Sequence, residues 1–323
     1  MTVIPHIRIA TLTENDFPVL HQWLQNKHVR EFWDDGDRTL EQVKNHYKPE
    51  EGIKRYIFFI EDEPAGYFQS YKVDKENEYH SYSLKDTLGI DFFIGNETFL
   101  NKGHAIHVLS CFIKECCVEA DRVLVDPQPS NARAIHLYKK YGFSQMAEQI
   151  INGRVHLIMG INLRRTVRAI VFNPDNNILL MHVSTLPILE NKTQSNHSFW
   201  CTLGGRIERN ESFETALTRE LYEEAGLNDF QKSLFVYGEQ VLNLSGFPTR
   251  LIEIFYAVHI STSEIITANL TKEEREVVKE LRCWSLEDLR RTKETIFPGC
   301  LADIAASYLE NRAGWQLKEI VLD

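Results

Sequence analysis

The first half of the chain breaks into short alternating runs of apolar and polar residues, interrupted by two stretches with helical spacing. Residues 56–61 and 65–71 read as strands on either side of the acidic turn Asp62-Glu63-Pro64, and Thr87–Ile94 reads as a third. Residues 103–119 carry Ile106, Leu109 and Ile113 at helical spacing, and Arg122–Val125 is a short apolar strand. Ala132–Tyr141 reads as a helix capped by Asn131 or Ser130 and stopped by Gly142. A strand over 155–161 closes the series. Residues 167–172 and 178–183 then form a strand pair around the turn-rich Asn173-Pro174-Asp175-Asn176-Asn177. This order predicts an α/β chain of two domains, residues 1–163 and 164–323, with the seam at 162–166 and no Gly/Ser/Pro linker.

Composition narrows the function classes. At 43% hydrophobic and 25% charged residues the chain reads as an ordinary globular protein. No apolar run approaches the roughly eighteen residues needed to span a bilayer, and the N-terminus lacks the basic-then-apolar pattern of a signal peptide. The six cysteines form no C-x-x-C pair, which predicts buried thiols in a reducing cytoplasm, with neither disulfides nor a zinc site. The net charge of −10 disfavours nucleic acid as a partner and suits cationic ligands.

Chemistry concentrates in residues 205–227. Gly205, Glu211, Arg219, Glu220, Leu221, Glu223, Glu224, Gly226 and Leu227 stand in the spacing G-x5-E-x7-R-E-U-x-E-E-x-G-U, where U is a bulky aliphatic. Ser212 can cap a helix ending at Ala225, with Phe213, Ala216, Leu217 and Leu221 on its buried face. Glu220, Glu223 and Glu224 then fall at i, i+3 and i+4, so their carboxylates share one face. Three like charges so close make sense around a hard cation such as Mg2+ or Mn2+. The pattern resembles the Nudix box. The resemblance implies an α/β/α sandwich, metal ligation by Glu220, Glu223 and Glu224, and bracing of the loop–helix unit by Gly205, Glu211 and Arg219. It also implies hydrolysis of a nucleoside diphosphate linked to a further group. Leu203 stands where many members of that family have proline. The general base is open, with Glu273 and Glu274 as candidates, and residues 187–198 could frame a specificity pocket. A ligand-binding regulatory module of the same fold is the rival reading, but it has no need of every metal carboxylate.

In the first half, Asn101-Lys102-Gly103-His104-Ala105 lies between a strand and a helix, where backbone N–H groups can face a pyrophosphate. The run from Asp126 to Phe143 places an Asn-capped helix, a tyrosine and a closing Gly-Phe behind it. Together these resemble the GNAT acetyltransferases, with a mixed-sheet α/β fold and acetyl-CoA as co-substrate, although Leu100 replaces the polar first residue of the family's phosphate loop. The resemblance implies cofactor contacts at residues 101–105 and Asn131. Within the family, Glu31-Phe32-Trp33, the run from Pro64 to Tyr71, Gly89-Ile90-Asp91 and Asp126-Pro127 resemble aminoglycoside 6′-N-acetyltransferases, which confer antibiotic resistance. That likeness implies that Trp33 and Asp91 line the drug site, that Asp126 helps deprotonate the attacking amine, directly or through water, and that Tyr138 protonates the departing thiolate. A carboxylate is needed because an ammonium is not a nucleophile. Asp34, Asp35, Asp37, Asp74, Glu76, Glu78 and Asp86 are expected to give the site an acidic rim for a polycation. A siderophore or other small amine is the alternative acceptor, and a non-catalytic acetyl-CoA sensor is a third class.

Overall fold

The protein is described by a computed structural model covering residues 5–33, 36–184, 198–244, 246–261, 265, 269–270 and 272–322, without the side chains of residues 273 and 274. The chain divides into two compact units, Met1–Asn162 and Leu163–Asp323.

The first unit runs β1 (Ile7–Thr11), α1 (Phe17–Leu24), α2 (Lys27–Arg30), α3 (Leu40–Tyr47), β2 (Ile53–Ile60), β3 (Glu63–Lys72), β4 (Thr87–Ile94), α4 (His104–Cys116), β5 (Arg122–Val125), α5 (Ala132–Tyr141), β6 (Ser144–Ile151) and the start of β7 (Arg154–Phe172). Strands β1 to β4 form an antiparallel meander, while β5 pairs parallel to β4 and antiparallel to β7. The apolar run in β3 is continuous because both faces are buried. Tyr67 packs with Leu20, Trp23, Val43 and Tyr47 of α1 and α3, whereas Phe68 stacks on Phe112 of α4 at 3.9 Å. The β4–β5 pairing covers only Thr87–Gly89 against Arg122–Leu124. Past Gly89, β4 continues with β3 on one side and no β5 partner on the other. This parting of two parallel strands exposes Asp91 and the residues following β5.

The second unit contains the rest of β7, then β8 (Ile178–Ser184), β9 (Ser198–Cys201), α6 (Phe213–Ala225), β10 (Gln231–Leu244), β11 (Phe247–His259), α7 (Lys272–Val277), β12 (Val278–Trp284), α8 (Leu286–Arg291), β13 (Ile296–Phe297), α9 (Leu301–Glu310) and β14 (Lys318–Val321). Alternation along β7 builds two cores. Val167, Ala169 and Val171 pack with Ala216, Leu217 and Leu221 of α6. Ile170 and Phe172 pack with Leu301, Ala305 and Tyr308 of α9. The sheet therefore has a helical layer on each face, the α/β/α sandwich expected.

Two local expectations are corrected. The stretch 162–166 is strand, because β7 runs unbroken from Arg154 to Phe172, its pattern of buried and exposed positions continuing through Leu163, Arg164 and Thr166. The helix expected over 103–119 ends at Cys116, where the chain turns and the Asp121 amide bonds to the Asp86 carbonyl. Of the six cysteines, all free, Cys117 and Cys201 are buried and the other four are partly exposed. Among the described residues no helix is long and apolar enough to cross a membrane.

Candidate active sites

The parted strands of the first unit bound a cavity of about 940 Å3. Asp91 enters it from β4. Its Oδ2 accepts a 2.8 Å bond from Gln69 Nε2, and the Tyr67 hydroxyl donates to the Gln69 carbonyl at 3.0 Å. Burial, and after it the nearby Asp126 charge, pushes the Asp91 carboxyl up to about 7. Asp126 enters from the end of β5. Its Oδ2 accepts from the Tyr79 hydroxyl at 2.9 Å and lies 3.0 Å from His156 Nδ1, which is also 2.7 Å from the Asp126 carbonyl oxygen. Tyr71 extends the chain by bonding to Tyr79. Burial, then Asp91 and Asp126, raise the Tyr138 hydroxyl far above the usual phenol range, so it keeps its proton. Trp33 forms a wall, its indole N–H donating to the Tyr47 hydroxyl at 2.8 Å and its ring meeting Phe93 edge-on. Ahead of α4, Asn101 and Gly103 adopt left-handed φ values of 59° and 78°. They curl the loop into α4, and Gly103, His104 and Ala105 at the start of that helix line the cavity.

In the second unit Ser212 caps α6 through the Thr215 amide at 3.1 Å, and Gly226 ends it in the left-handed conformation. Arg219 is the hub of the loop–helix unit. Its Nε and Nη2 bind the two oxygens of Glu211 at 2.9 and 3.0 Å, while Nη1 reaches Glu220 at 2.7 Å and Glu223 at 3.1 Å. The Arg219 bond holds the Glu211 carboxyl below its usual range. Buried Glu224 accepts the Gly204 amide at 2.6 Å. A Cβ on Gly205 would lie 2.6 Å from both oxygens of Glu220, so a side chain there would push that carboxylate from its place beside Arg219. Gly204 has φ 119°, and a Cβ there would lie 2.2 Å from the Val167 carbonyl oxygen. Gly204→Ala is therefore expected to destabilise the second unit by more than about 1 kcal/mol, read as a shift in its denaturant midpoint.

Residues 13–150 match the acetyltransferase (GNAT) domain family, and residues 162–302 match the NUDIX domain family. The aminoglycoside N(6′)-acetyltransferases type 1 of Klebsiella pneumoniae and Serratia marcescens are each 30% identical to this chain over 149 residues, spanning 43% of it and 74% of the relative. The chain belongs to the GNAT acetyltransferases, and its second half carries a Nudix hydrolase domain. A solved aminoglycoside acetyltransferase in complex with coenzyme A is 27% identical, with a TM-score of 0.45, covering 49% of this chain and 95% of that one.

In the GNAT unit, Trp33, Asp91, Asn101, Gly103, His104, Ala105, Asp126, Asn131 and Tyr138 converge on the one cavity. Lys102 does not line it, being exposed with its ammonium 6.0 Å from the Phe99 ring. The residues expected at an acidic rim make local bonds. Asp37 is paired with Arg30 at 2.7 Å, and Asp74 caps its own turn at the Glu76 amide. Neither these nor Glu76, Glu78 and Asp86 are among the described residues lining the cavity. Asp34 and Asp35 lie outside the described residues. His156, Tyr79 and Gln69 were missed, because no local motif marks them.

In the Nudix unit Gly205, Glu211, Arg219, Glu220, Glu223 and Glu224 form one bonded cluster or abut it. Among the described residues, no three His, Cys, Asp or Glu groups are gathered as a cation site. Leu203, at the position of the family's proline, is buried in the core under α6. The side chains of Glu273 and Glu274, and all of 187–198 except Ser198, lie outside the described residues. Sequence reasoning also missed Glu253 of β11. It is 1% exposed; Oε1 accepts from Thr166 Oγ1 at 2.9 Å and Arg168 Nε at 3.1 Å, while Oε2 has no partner among the described residues. Arg168 also donates to the Gly204 carbonyl at 2.6 Å, tying Glu253 to the glycine loop. A single carboxylate inside the apolar run Leu251-Ile252-Glu253-Ile254-Phe255 was the available signal.

Proposed function

We propose that the GNAT unit transfers acetyl from acetyl-CoA to the primary 6′-amine of an aminoglycoside. The observation that carries this reading is the pair of carboxylates, Asp91 and Asp126, in an aromatic-walled cavity continuous with the loop before α4. The loop amides and Asn131 hold the cofactor. Asp91 contacts the cationic sugar, Asp126 serves removal of the ammonium proton, and the amine attacks the thioester carbonyl. Tyr138, kept protonated by its surroundings, gives its proton to the departing thiolate. The likeness to aminoglycoside N(6′)-acetyltransferases supports the acceptor class. Thiol release should occur with a drug bearing a 6′-amine and fail with a matched 6′-hydroxyl. Equal release with both excludes 6′-N transfer, and release only with a siderophore-type amine moves the acceptor to that class.

Asp91 gives the reaction a pH signature. Its carboxyl is raised to about 7, so it is charged above that pH and neutral below it. A cationic acceptor binds the charged form. The acceptor's KM is expected to rise as pH falls from about 8 to 6, with the KM for acetyl-CoA unchanged. Steady-state kinetics across that range check it, and a flat acceptor KM refutes it.

For the Nudix unit, we propose hydrolysis of a nucleoside diphosphate linked to a further group. Glu220, Glu223 and Glu224 offer hard carboxylate oxygens from one helix face, the donor chemistry that Mg2+ or Mn2+ takes, and they would hold the cation once turned from their present partners Arg219 and the Gly204 amide. Such a cation would supply charge stabilisation at the diphosphate and Lewis acidity toward the attacking water. The chain's own part is to hold the carboxylates: Arg219 fixes Glu220 and Glu223, and the Gly204 amide fixes Glu224. Phosphate release from a panel of nucleotides, with and without a chelator, tests both substrate and metal.

A further inference from the structure

We propose that His156 is the proton acceptor of the acetyl-transfer site, with Asp126 acting through it as its orienting counter-ion. This deepens the acetyl-transfer reading above and rests on it.

Hydrogen-bond chemistry fixes the tautomer. Nδ1 of His156 faces two oxygens that can only accept, the Asp126 carbonyl at 2.7 Å and its carboxylate at 3.0 Å. Nδ1 therefore carries a hydrogen. In the neutral ring Nε2 is left with the lone pair. Among the described residues Nε2 has no hydrogen-bond partner, and His156 lines the same cavity as Asp91 and Asp126. Asp126 Oδ2 also accepts from the Tyr79 hydroxyl at 2.9 Å, a second bond that holds the carboxylate beside the ring. A carboxylate that locks one imidazole nitrogen and leaves the other open is the arrangement of a general base with its orienter. The groups facing His156 agree. The Asp126 bond raises its pKa above the ordinary 6.5 despite burial, while Arg154 on its own strand opposes this. Asp91 on β4 adds negative charge, and Tyr79 stays neutral because burial and Asp126 raise its pKa. An imidazolium formed here is stabilised by Asp126, and above its pKa the ring is again ready to accept.

The step balances. The acceptor ammonium loses one proton to Nε2 through cavity water. The freed nitrogen lone pair forms the C–N bond, and the C–S bond breaks with its electron pair on sulfur. Tyr138 protonates that sulfur and is re-protonated by the remaining extra proton on the new amide nitrogen. The imidazolium gives its proton to bulk water.

His156→Asn separates this assignment from one in which Asp126 acts alone, because the Asn amide nitrogen can still donate to Asp126 but has no base. With an amine that the wild-type protein acetylates, kcat should fall by about 10²-fold or more, with acetyl-CoA affinity unchanged by calorimetry. The acidic limb of the kcat profile should disappear. Added imidazole should restore activity in His156→Ala, a rescue that a structural role does not give. A His156→Asn variant that keeps wild-type kcat and pH profile overturns the proposal. Should both variants misfold by circular dichroism, 15N imidazole spectra of the wild-type protein decide: an Nε2–H tautomer at about pH 8 overturns it, and an Nδ1–H tautomer is required. A wild-type protein silent on every amine sinks the acetyl-transfer reading instead, and the spectra still test the dyad.

Discussion

Replacing Asp126 by Asn is expected to lower kcat for acetyl transfer by about 10²–10⁴-fold while leaving the KM for acetyl-CoA within a factor of two or so. The amide is nearly isosteric, so the Tyr79 bond and the fit at the end of β5 survive. What is lost is charge. An amide accepts no proton and gives no stabilisation to an imidazolium at His156, 3.0 Å away. The cofactor is held elsewhere, by the left-handed loop of Asn101 and Gly103 and by the start of α4, so its binding is insulated from the change. Asp91→Asn should behave differently, raising the acceptor KM more than it lowers kcat, because Asp91 meets the cation and its Gln69 contact can be kept by an amide. Steady-state kinetics of both variants against one 6′-amine drug make the comparison. An Asp126→Asn enzyme with unchanged kcat ends the assignment.

Glu223→Gln and Glu224→Gln should each lower Nudix turnover by about 10²-fold or more and weaken cation affinity, with acetyl transfer by the same molecules intact. The two test different things. Glu223 is the more exposed of the pair and bonds to Arg219 at 3.1 Å near the surface, so its substitution perturbs the fold least. Glu224 is 4% exposed and anchors the Gly204 amide at 2.6 Å. A glutamine there still offers a carbonyl oxygen to that amide, but the bond is no longer charge-assisted and the loop loosens as well. Glu224→Gln should therefore cost both turnover and some stability, and Glu223→Gln turnover alone. Diphosphate cleavage at wild-type rates in both variants would remove these carboxylates from the reaction.

The legible parts of this molecule were those whose physics is local. The cap at Ser212, the stop at Gly226 and the shared face of Glu220, Glu223 and Glu224 all lie within one helix, and spacing alone placed them. The same holds for Asn131, Gly142 and Tyr138 on α5. The partners that give these residues their properties come from far along the chain. His156 is thirty residues from Asp126, Tyr79 is forty-seven, and Glu253 is eighty-five from Arg168. No periodicity reports a hydrogen bond across such distances. Acidic residues that are neighbours in sequence instead find local partners, as Asp37 does in Arg30 and Asp74 in the Glu76 amide. The cavity itself depends on how far β4 and β5 stay paired, a register property that no single strand encodes.

Strand β7 carries a consequence for engineering. Within the second unit its odd-numbered residues Val167, Ala169 and Val171 fill one core and its even-numbered Ile170 and Phe172 fill the other. Removing a single residue between 167 and 172 would exchange the two sets, pushing Phe172 toward the small-residue surface under α6 and Ala169 or Val171 into the aromatic layer of Tyr308 and Trp284. Both hydrophobic layers would be mispacked by one edit, whereas the Asn173–Asn177 turn next to it, held by its own asparagine bonds, has exposed positions where added length does not touch either layer. Tags, loops or permuted termini belong at the exposed positions 174–176, and deletion scanning should show a change from intolerance to tolerance after Asn173, whose buried side chain holds the turn.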